Sequence, residues 1–143
     1  MALLMEEVRG QIRDMLADLP RSVELRLYAG PDGEASEVMR QLVDELGEVS
    51  PRLVPQAVAE APVVEPGRPS DAEVEGPVLT LGVPGEAHSG VRFLGVTAGH
   101  EFGALIAAIR HVGHGTTDLK PQSVDKLRGL GHRVHIQVFT TPT

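Results

Sequence analysis

The sequence predicts an α/β domain built around a mixed sheet, and three stretches carry that prediction. Residues 23–28, "VELRLY", alternate apolar and polar side chains as a half-buried strand does. The following "SEVMRQLVDEL" repeats its apolar residues at helical spacing. Later, "PVLTLGV" and "VRFLGV" flank the turn residues "PGEAHSG" and read as an antiparallel pair. At 143 residues and 15.3 kDa the chain has the size of one ordinary domain with a genuine hydrophobic core.

Each element follows from local pattern. Between Leu3 and Leu19 the apolar positions Leu4, Val8, Ile12, Met15, Leu16 and Leu19 form one helical stripe, which ends before Pro20. A strand spans Val23 to Tyr28. A helix from Glu34 to Leu46 puts Val38, Leu42 and Leu46 on one face, with Gly47 as its expected stop. A short strand is predicted near Leu53 to Val58. The stretch from Ala59 to Gly76 is rich in Pro, Glu and Gly and reads as an exposed connection, with at most a helical turn at "SDAEVE" and no buried helix.

After the hairpin, "TAGHEFGALIAAIRHV" predicts a helix with Phe102, Leu105, Ile106 and Ile109 on its apolar stripe and Thr97 as its cap. A break at "GHGTTDLK" leads to a helix from Pro121 to Leu130, Pro being tolerated in a first turn. The last element is a strand, "HRVHIQVFT". The segment "SVDKLRGLGHRVHIQVFT" repeats the pattern of "QIRDMLADLPRSVELRLY", so the opening helix and strand recur at the end.

Composition excludes several classes of function. The net charge of −7 opposes a polyanion, so no nucleic acid is expected as partner. Aromatic residues make up 3% of the chain, with no Trp, which leaves few platforms for stacking bases. No cysteine is present, so thiol exchange, disulfides and thiolate zinc sites are closed to this chain. No apolar run reaches the roughly 20 residues of a membrane span, and the start "MALLMEEVRGQIRDML" brings acids too early for a signal peptide. No membrane contact and a cytoplasmic location are the expectation.

The order helix, β-α-β, exposed link, β-β-α, then a second helix and strand, is that of a thioredoxin-like unit followed by the opening of another. Residues 90–112, "GVRFLGVTAGHEFGALIAAIRHV", and the ending "VHIQVFTTPT" resemble the protein disulfide oxidoreductases built from two tandem thioredoxin-like units. They are also similar to the N-terminal domain of the alkyl hydroperoxide reductase flavoprotein subunit, whose first unit lacks the redox cysteine pair. The moderately specific pieces are Gly99, His100, Glu101 and Phe102, "GHEF", and the ending "FTTPT".

The resemblance divides the chain into residues 1–118, a thioredoxin-like unit without a redox pair, and residues 119–143, the helix and first strand of a second unit. It implies that Gly33 and Ser36 stand where a first-unit C-x-x-C would sit, and that Pro77 is the cis-proline facing the redox loop. The role implied is a non-redox scaffold or docking domain for a thiol-disulfide or peroxide-reducing system, without a cofactor. Its partner would be a thiol redox protein or a second thioredoxin-like unit. The alternative is the first part of a disulfide oxidoreductase whose C-x-x-C pair follows Thr143. A third reading places an unidentified ligand in a groove between Gly30–Ser36 and Pro77.

The remaining candidates favour structural roles. Ser36 is not a nucleophile without an adjacent base, and the loop reads as Gly for backbone freedom with Ser or Glu as helix cap. His100 and Glu101 would make a base and its orienting partner, yet neighbours on a helix diverge, and an acid in a first turn is explained by the helix dipole. His100 is expected at a strand-helix junction in a structural role. The pairs His111/His114 and His132/His135 have zinc-like spacing, but residues three apart on a strand face opposite ways, so no metal is expected. The apolar side chains Val134, Ile136 and Val138 lack sheet neighbours, so this C-terminal strand is expected either to add to an open edge of its own sheet or to pair with a second chain as a homo-oligomer, association being favoured.

Overall fold

The computed structural model describes residues 1–30, 33–59 and 76–140. Among them are four helices, α1 (Glu6–Leu16), α2 (Glu34–Val49), α3 (His100–His114) and α4 (Pro121–Arg128). Four strands, β1 (Val23–Tyr28), β2 (Leu53–Ala57), β3 (Val78–Gly82) and β4 (His88–Leu94), form one sheet in the order β2-β1-β3-β4. β1 runs parallel to β2 and antiparallel to β3, and β3 pairs antiparallel with β4, so the sheet is mixed. The expected helical turn at "SDAEVE" lies outside the described residues.

The alternation in β1 sorts the two faces. Val23, Leu25 and Leu27 are buried with Leu79, Leu81 and Phe93 against Ile12 and Leu16 of α1, Met39, Leu42 and Leu46 of α2, and Leu105, Ile106 and Ile109 of α3. The other face carries Glu24 and Arg26, whose guanidinium Nε donates to the Glu24 carboxylate at 2.6 Å. Gly82 stands opposite Glu24 in the sheet, and a Cβ there would come within 3.0 Å of the Arg26 guanidinium. The glycine therefore makes room for the arginine.

Two helix ends differ from the pattern-based expectation. Gly47 does not stop α2, which continues to Val49. A Cβ on Gly47 would lie 2.4 Å from the Pro55 ring, so this glycine serves a close approach of α2 to β2. Thr97 does not cap α3. The N-cap is Gly99, at φ +64°, a conformation that favours glycine. Thr97 is instead fully buried, and its backbone N–H donates to the Met39 sulfur at 3.3 Å, tying the β4–α3 connection to α2.

Beyond α3 the expectation fails in one element. α4 forms, ending at Arg128 rather than Leu130, and none of its residues is buried. Residues 133–140 join no strand of the sheet, and Val134, Ile136, Val138 and Phe139 are exposed. β-structure requires a partner strand, and among the described residues none pairs with this segment.

Candidate functional site

β1 and β4 both end on one side of the sheet, and β3 starts there, since Val78 stands opposite Tyr28 and Leu94. That topology brings three sequence-predicted features to the same sheet end: the loop leading into α2, Pro77 before β3, and "GHEF" at the start of α3. Gly33 is the N-cap of α2, exposed and extended, and Ser36 is the third residue of the helix. Gly30 takes a left-handed φ of +76° directly after the strand, which lets the chain turn toward the helix.

Ser36 is buried, and its hydroxyl donates to the Ala29 carbonyl. Gly33 makes no side-chain cap, and the hydroxyl of Ser36 instead fastens the first turn of α2 back onto the end of β1. A backbone carbonyl is not a general base, so this hydrogen bond does not turn Ser36 into a nucleophile.

Pro77 is buried, but the peptide bond before it is trans, which corrects the cis expectation. Its carbonyl accepts the Gly95 N–H at 2.8 Å, continuing the β3–β4 pairing past the last ladder residue. The trans amide, favoured intrinsically by about 0.5–1 kcal/mol, meets that extended geometry.

In "GHEF", Phe102 packs against the core, Glu101 occupies the first turn half-buried, and His100 is exposed. His100 stands at the junction between β4 and α3 with its side chain exposed. His111 lies 3.3 Å from Asp118 and His114 lies 3.5 Å from Asp18, so the two histidines of that pair face different carboxylates. His132 and His135 are exposed. Among the described residues no three of His, Cys, Asp and Glu gather as a metal set.

A cleft of about 400 Å³ opens at the same sheet end but on its β2 side, lined by residues that include Tyr28, Gly30, Arg40, Asp44, Gln56 and Val58. It does not extend to Pro77 or "GHEF", so the groove expected between residues 30–36 and Pro77 is not the cavity found.

One buried polar group was invisible to sequence pattern. Glu45 of α2 is buried, accepts the backbone N–H groups of Leu3 and Leu4 at 2.7 and 2.8 Å, and lies 3.5 Å from Arg9. Burial pushes its carboxyl up, but these two amides, Gln41 and Arg9 outweigh it and hold the pKa at about 2.

The relatives place this arrangement. The F subunit of alkyl hydroperoxide reductase (AhpF) from Staphylococcus aureus strain Mu50 is 27% identical over 143 residues, 99% of this chain and 25% of that protein. A protein disulfide oxidoreductase from Aeropyrum pernix K1 superposes with a TM-score of 0.75 at 25% identity, covering 99% of this chain and 62% of the other. The relatives of this chain are AhpF and a protein disulfide oxidoreductase, and its fold is thioredoxin-like. The NTD_N/C domain of AhpF from Enterococcus faecalis V583 shares the fold, with a TM-score of 0.66 at 19% identity over 83% of this chain and 57% of that one. This thioredoxin-like chain thus spans about a quarter of the length of its curated relatives. No protein-family model matches it.

Proposed function

We propose that this chain is a non-redox, thioredoxin-like docking domain of a thiol-disulfide or peroxide-reducing system. The observation that carries the reading is the start of α2. A helix N-terminus after the first strand is a setting that lowers a thiol pKa, yet Gly33 and Ser36 stand there, and the Ser36 hydroxyl is spent on Ala29. With no sulfur nucleophile in 143 residues, a contribution to such a system runs through binding. The surface we assign to that binding is the sheet end where Gly33 and His100 are exposed.

Calorimetric titration with a thioredoxin-like protein carrying a C-x-x-C pair tests the reading. Saturable binding is expected, lost in Gly33→Lys and retained in Thr117→Lys, which alters the opposite end of α3. Gly33 has an extended backbone that any residue adopts, so its replacement leaves the fold intact. Absence of binding, or equal loss in both variants, contradicts the assignment.

A second reading is favoured by α4 and residues 133–140, which bury no side chain although they repeat the helix-strand pattern of residues 11–28. In it, this chain acts as the first of two thioredoxin-like units and the redox pair belongs to the other.

A further inference from the structure

We draw no further inference here: the strongest candidate, the cleft of about 400 Å³ on the β2 side of the sheet end, bounded by Tyr28, Arg40, Asp44 and Gln56, reaches Gly30 and Ala59, the last described residues before 31–32 and 60–75, and nothing in the structure shows what covers it.

Discussion

The Glu45 carboxylate receives the backbone N–H of Leu4 at 2.8 Å, a contact across 41 residues that fastens the start of the chain to the middle of α2. It also receives Leu3, and Leu4 is thereby held in the core beside α1 and α2. Two amides that precede the first turn of α1 are thus satisfied by a side chain of another helix.

This contact makes stability depend on acid. The folded pKa of Glu45, about 2, lies below the 4.5 of an unperturbed glutamate. The stabilisation is therefore complete above that ordinary value and is lost as pH falls from there toward about 2. After allowance for solvent screening it amounts to about 1–3 kcal/mol. Urea melts of wild type and Glu45→Gln should differ by that amount at neutral pH and converge under strong acid. A constant difference across this range would contradict the linkage.

The close approach of α2 to β2 gives a second prediction. In Gly47→Ala the new methyl group would meet two ring carbons of Pro55 at 2.4 and 2.8 Å. A rigid ring cannot rotate away, so overpacking should lower stability by about 1–3 kcal/mol in thermal or urea unfolding. Gly103→Ala, with open space around its Cβ, should be neutral or stabilising.

Arg21 supports the far end of the domain. Its guanidinium donates to the carbonyls of Val112 at 2.8 Å and Gly113 at 3.3 Å, groups left without helical partners at the end of α3. Arg21→Ala should cost about 1 kcal/mol and speed hydrogen exchange in the last turn of α3. Unchanged exchange there would show that the cap contributes nothing.

Much of this fold was legible because it depends on short-range pattern. The alternation of "VELRLY" returns as alternate burial along β1, and the stripe Leu105, Ile106, Ile109 is the buried side of α3. What escaped the sequence depends on contacts between distant residues. Gly47 resembles a helix stop until Pro55 is seen beside it, and Thr97 resembles a cap until its amide is found on Met39. Glu45 looks like a solvated acid on an amphipathic helix, because its amide partners lie more than 40 residues away. The segment 133–140 has the pattern of a strand but no partner strand within this sheet, and pattern alone does not form one.

The start of α2 can be tested by restoring what its setting suits. In Gly33→Cys/Ser36→Cys two thiols would stand three residues apart at a helix N-terminus, where the dipole stabilises a thiolate. Mild oxidation should close an intramolecular disulfide, seen as loss of two thiols in mass spectrometry after alkylation. Persistence of two free thiols would show that this loop lacks redox-pair geometry.

The most direct test of the central claim is insulin reduction by dithiothreitol in the presence of the purified wild-type chain. A domain that contributes binding and no thiol chemistry should leave the rate equal to that of the protein-free control. Acceleration that scales with the concentration of this chain would contradict the non-redox assignment.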